Sequence, residues 1–168
     1  MKLEFIEVGR IVNAHGIRGD VRVQPIGQLP AFLTEFDTFY LDGKAVTPTA
    51  NRVHKSLVLM KFPGVEDMDA ALALKGKVLS IRRSDAELDD GEAFDDELLG
   101  LTVKDADTGE VLGELTAVED YPAHKVYTVT GVRTYLIPAV RDVFIASVDL
   151  AENVMEVHML EGLATDEN

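Results

Sequence analysis

Short apolar runs, each closed by a turn signal, recur along almost the whole chain, and only one stretch has helical spacing. Such a pattern restricts the fold to a small β-barrel or sandwich, because many short strands must bury one face and hide their edges. Residues 6–12 are followed by 20–24, where Val21 and Val23 alternate with the charged Asp20 and Arg22. Residues 57–62 (Leu-Val-Leu-Met-Lys-Phe) are apolar at both parities, which predicts a strand buried on both faces over most of its length. The exception is 67–76, with Asp67 and Asp69 at its start and Lys75 and Gly76 at its end, as capping favours in a helix. A strand over 77–83 follows.

The second half reads as strands alone. Leu101 and Val103 lead to a turn at 107–109, then strands over 111–118, 126–130, 133–137 and 143–150. A turn at 151–153 opens a last strand in which Met155, Val157 and Met159 face one way while Glu156 and His158 face the other. Pro138, closing a strand, marks an edge or bulge. The expectation is a mainly β chain of two small β-barrels in tandem, with one short helix in the first and no clear helix in the second.

The acidic stretch around 85–92 divides the chain, giving domains over 1–84 and 93–163 with a tail over 164–168. Charge breaks at the same place. The 168 residues carry a net −14, but residues 1–88 hold 12 basic and 11 acidic side chains whereas 89–168 hold 4 and 19, a net of −15. An acidic half of this kind repels phosphate backbones and attracts basic surfaces, although a merely solvated face has the same composition. The absence of cysteine excludes disulfide frameworks and thiolate metal sites, and no apolar stretch approaches the roughly 20 residues of a membrane span. The acidic start lacks the apolar run of a signal peptide, which places the expected home in the cytoplasm.

Chemistry-bearing motifs are sparse. His15, His54, His124 and His158 form no paired metal spacing, and no serine lies in a nucleophile-elbow sequence. Asp89-Asp90 and Asp95-Asp96 fall where solvation explains them. The reading is a protein with no catalytic residues, no metal and no cofactor. The segment 9–23 stands apart, with Gly16 and Gly19 framing Ile17-Arg18 and with His15 and Arg22 beside them. The Gly-x-x-Gly spacing matches the backbone-clamping loop of KH domains, but that loop joins helices and this one joins strands. A tight turn explains the glycines; it does not explain the His and two Arg, which form a compact polar site. A β-barrel module that binds RNA directly through Arg10, Arg18, Arg22, Arg52 and Lys55 is the alternative reading. An acid–base pair of His15 and Asp20 is the third.

The ordered motifs resemble the RimM family of bacterial ribosome maturation factors. They are Val8-Gly9-Arg10-Ile11 with His15-Gly16-Ile17-Arg18-Gly19-Asp20, then Gly64-Val65-Glu66-Asp67, Leu74-Lys75-Gly76, Leu98-Leu99-Gly100, Leu136-Ile137-Pro138 and Glu161-Gly162-Leu163. The resemblance implies a translation-factor-like barrel followed by a PRC barrel. It further implies a monomeric, non-catalytic factor that acts late on the head of the small (30S) ribosomal subunit and supports 16S rRNA processing. Such a factor binds free small subunits but not complete ribosomes, and its PRC barrel engages the basic small-subunit ribosomal protein nineteen. Contact with 16S rRNA falls to the first barrel. Family members often carry adjacent tyrosines where this chain has Ala93-Phe94-Asp95, so Phe94 and Tyr121 join His15, Gly16, Arg18, Gly19 and Arg22 as candidate ribosome-binding residues.

Overall fold

A computed structural model describes residues 1–89 and 91–159. The chain forms two units, one over residues 4–87, the other joining residues 1–3 to the chain from Leu88 onward. The first unit contains β1 (Phe5–His15), β2 (Asp20–Pro25), α1 (Pro30–Leu33), β3 (Phe39–Leu41), β4 (Lys44–Val46), β5 (Ala50–His54), β6 (Leu57–Lys61), α2 (Met68–Leu72) and β7 (Val78–Arg82). The strands make one antiparallel sheet in the order β4-β3-β7-β1-β2-β6-β5. Laid flat, seven strands would separate the outermost pair by about 29 Å. Yet those two, β4 and β5, are joined by residues 47–49 alone, which span at most about 15 Å. The sheet therefore curls on itself, as the barrel expectation requires. Ile6, Val8, Ile11, Val21, Val23, Phe39, Val58, Met60, Leu79 and Ile81 fill its inside, each almost wholly buried.

β6 is buried at both parities through Val58, Leu59 and Met60, as the sequence predicts. Helix α2 is shorter than its pattern. Asp67 caps it by accepting the Ala70 N–H at 2.8 Å, but the Gly76 N–H donates to the Ile11 carbonyl at 2.7 Å, so strand β1 captures the turn that would have extended it. The expectation of a single helix in this unit is corrected by α1, begun by a proline at its first turn, where a missing N–H costs nothing. A three-residue 3₁₀ turn, Arg83–Asp85, spans the boundary expected between the first domain and the linker, and the first unit runs on to Glu87.

The second unit contains α3 (Asp95–Leu98), β8 (Thr102–Asp105), β9 (Val111–Asp120), β10 (Lys125–Thr130), β11 (Thr134–Pro138), β12 (Ile145–Asp149) and β13 (Val154–Val157). Their order is β11-β10-β9-β8-β13-β12, antiparallel throughout except that β8 and β13 pair in parallel. Pro138 ends β11, an edge strand, where its missing N–H breaks no interior ladder. Leu101, Val103, Leu115, Val129, Ile137, Met155 and Val157 form the core. Helix α3 corrects the expectation of no helix here. Glu97, fully buried, accepts the Phe94 N–H at 3.1 Å and thereby satisfies an orphan donor at the helix start. Its other oxygen accepts the Leu3 N–H at 2.9 Å.

Candidate functional site

β1 and β2 pair through His15 and Asp20, which leaves a four-residue connection over 16–19. Both glycines have positive φ, +72° at Gly16 and +96° at Gly19, but for different reasons. A side chain at Gly16 would point into open space, whereas a Cβ at Gly19 would lie 2.1 Å from the Val65 carbonyl oxygen. Lys61 fixes this approach, its Nζ donating to the carbonyls of Arg18 and Val65 and lying 3.4 Å from a Glu66 carboxylate oxygen. The backbone of the loop is thus held from beneath while Ile17 and Arg18 are exposed. Sequence reasoning missed Lys61. Its sign was a lysine inside an otherwise apolar strand.

Alternation on β2 puts Val21 and Val23 inside and Arg22 outside. Arg22 Nε donates to His15 Nδ1 at 3.2 Å, which keeps that nitrogen an acceptor. Across the next two strands Arg22 faces Leu59, and Leu59 faces Arg52, so the arginines flank a leucine that is only 2% exposed. His54 lies one step beyond, its ring 5.5 Å from that of His15. Lys55 occupies the hairpin turn after it, with φ +57°. The outer face of the sheet therefore collects His15, Arg22, Arg52, His54 and Lys55 at one end, beside the loop that carries Arg18. Partial burial, then the neighbouring His15, Lys55, Arg52 and Arg22, hold the His54 pKa below its ordinary value. A patch that already resists one more proton is suited to an anion such as a phosphate. Asp20 shares the hairpin with His15, but the nitrogen of His15 that is hydrogen-bonded is engaged by Arg22. His54 was given no role on sequence grounds, because no apolar alternation announces β5.

The second unit places its candidates differently. Phe94 precedes α3 and is 4% exposed, so its ring belongs to the interior and offers no surface to a partner. Tyr121 is 51% exposed and donates to the Glu119 carboxylate at 3.3 Å. Tyr127 packs against the core, and burial, followed by the charge of Asp95, pushes its hydroxyl up to about 12. Asp95, expected to be merely solvated, pairs with Lys125 at 2.7 Å. Among the described residues no group of His, Asp and Glu is placed to hold a metal ion, and no helix is long and apolar enough to cross a membrane.

Comparison with known proteins covers both units. Residues 6–86 match the RimM N-terminal domain and residues 95–163 the RimM PRC barrel domain. The ribosome maturation factor RimM of Clostridioides difficile is 33% identical over 168 residues, covering 96% of this chain and 97% of the relative. That of Lactobacillus delbrueckii subsp. bulgaricus is 34% identical over 174 residues, covering 96% and 99%. A crystal structure of a 16S ribosomal RNA processing protein RimM from Pseudomonas aeruginosa aligns with TM-score 0.46 and 27% identity over 92% of this chain and 97% of that one. With both domain types present in order and relatives matched along nearly their full length, the chain belongs to the RimM family of ribosome maturation factors.

Proposed function

We propose that this chain is a cytoplasmic, non-catalytic assembly factor for the head of the small ribosomal subunit, supporting late 16S rRNA processing. Its acidic second unit docks on a basic ribosomal protein of the head, small-subunit protein nineteen in the family pattern. The single observation that carries the reading is the charge partition: residues 89–168 hold a net −15 while residues 1–88 hold +1. A domain so acidic is steered toward a basic protein and away from bare phosphate. The experiment is co-sedimentation of the full chain with small subunits, large subunits and complete ribosomes. Binding to free small subunits alone is expected; equal binding to all three, or to none, would overturn it.

The cluster of His15, Arg22, Arg52 and Lys55 favours a second contact, with 16S rRNA through the first unit. Arg18→Ala, at an exposed position, leaves the melt within about 0.5 kcal/mol of wild type. It should nevertheless weaken subunit binding and flatten its salt dependence, because one phosphate contact fewer releases fewer counterions. Unchanged binding would reduce the loop to architecture.

A further inference from the structure

Ile17 is 74% exposed within the connection between β1 and β2. A lone apolar side chain at a surface is ordinary. What sets this one apart is the support beneath it and the charge beside it. The Lys61 ammonium donates to the carbonyls of Arg18 and Val65, and Gly19 packs so closely on Val65 that a Cβ there would overlap its carbonyl. The loop is therefore held in one shape. Its turn needs the two glycines, but the positive φ angles fall on them and not on Ile17, so the backbone has no use for an outward β-branched residue. A side chain presented on a fixed backbone loses little freedom when it is covered, as a contact residue should.

Arg18 adjoins Ile17, and Arg22, Arg52 and Lys55 belong to the same cationic cluster. Among the described residues none of these four forms an ion pair, whereas Lys77 pairs with Asp42 and Arg82 with Glu4 elsewhere in the unit. An apolar tip bordered by unpaired cations fits a ligand that offers an apolar face beside negative charge. A nucleotide does this when its base is unstacked. In a paired A-form stem the base faces are covered by their neighbours, and an apolar tip finds nothing to cover. We propose that the first unit takes an unpaired nucleotide of RNA, with Ile17 against the face of the base and Arg18 and the cluster on the flanking phosphates. This rests on the rRNA contact proposed above and specifies it as a contact with single-stranded or bulged RNA.

The test measures binding of the full chain, at one fixed ionic strength, to three fluorescent RNAs: a fully paired duplex, the same duplex with a bulged adenosine, and the bulged duplex with that nucleotide made abasic. The bulged duplex should bind roughly three- to tenfold more tightly than the other two, as covering part of one isoleucine side chain implies. Ile17→Ser should bring it down to their level without moving the melt, because so exposed a side chain supports nothing in the fold. Leu29→Ser, at a position 78% exposed but beyond the other end of β2, should leave the preference intact. Equal affinity for the adenosine and abasic bulges, or a preference that survives Ile17→Ser, overturns the inference; the phosphate contact still stands if Arg52→Ala weakens binding of all three. If none of the three binds with an affinity that falls as salt rises, the rRNA contact itself fails and the inference with it. Loss of small-subunit binding by Ile17→Ser with RNA affinities unchanged would put the tip against a protein and overturn the inference as well.

Discussion

Replacing Gly19 by alanine is expected to cost the first unit about 3–5 kcal/mol, while the same change at Gly16 costs about 1–2 kcal/mol. Both residues have positive φ, so both variants incur the roughly 1–2 kcal/mol that a Cβ adds in the left-handed region. At Gly16 nothing lies within 4 Å of the new carbon and the cost stops there. At Gly19 the Cβ meets the Val65 oxygen at 2.1 Å, the Val65 carbonyl carbon at 2.7 Å and Lys61 Nζ at 2.8 Å. Backbone atoms must retreat by about an ångström, which breaks the Lys61 ammonium's bond to the Val65 carbonyl, worth about 1.5–3 kcal/mol, and leaves its bond to the Arg18 carbonyl to re-form. For a unit of this size the expected loss in Tm is roughly 15–30 °C at Gly19 against 5–10 °C at Gly16. Calorimetry of the full chain measures this, with amide signals of β1 and β2 identifying which transition moves. Losses in the two variants that agree within about 1 kcal/mol would refute the reasoning.

Glu97→Ala leaves the N–H groups of Leu3 and Phe94 without their acceptor and should destabilise the second unit by about 2–4 kcal/mol in urea titration. A loss under about 0.5 kcal/mol would show that the carboxylate is dispensable. The Tyr127 hydroxyl, pushed up to about 12, stays protonated in the fold after the unfolded chain has begun to ionise near 10. The second unit should therefore lose stability from about pH 10 toward 12, and Tyr127→Phe should remove that part of the slope. His54 has the opposite sense: its lowered pKa means the unfolded state takes up the proton first, so the first unit weakens as pH falls through the histidine range. An RNA oligonucleotide bound at the cluster should raise the His54 titration in proton NMR; an unmoved titration with bound RNA would place the RNA elsewhere.

Much of the sheet was legible because burial writes a period into the sequence. The alternation in 20–24 and the doubly apolar run at 57–62 correspond to β2 and β6. What escaped lies where that signal is too short or too polar. β3 and β4 have three residues each, but Asp42-Gly43 between them, both at positive φ, is a two-residue hairpin signal that could have found the pair. β5 reads Ala-Asn-Arg-Val-His and has no apolar alternation, since its outward residues are the cationic ones. The candidate site was legible in its types and not in its company: His15, Arg18 and Arg22 are neighbours in sequence, whereas Arg52, His54 and Lys61 reach them only through strand register. Phe94 could not be placed from sequence, because an aromatic residue beside a linker reads alike as an anchor and as a cap.

Residues 1–3 belong to the second unit although the whole first unit separates them from the rest of it. During synthesis the segment 4–87 can complete its sheet as soon as β7 emerges, since every strand it needs is already made. Leu3 must wait: its acceptor, Glu97, is translated ninety-four residues later, and β8 gains its parallel partner only when β13 leaves the ribosome. The earliest of these segments is therefore among the last to be fastened. Expression of the second unit cut out at Leu88 would yield a sheet with a buried carboxylate missing one of its two backbone donors, so dissection at the interdomain segment is not a neutral operation for this protein.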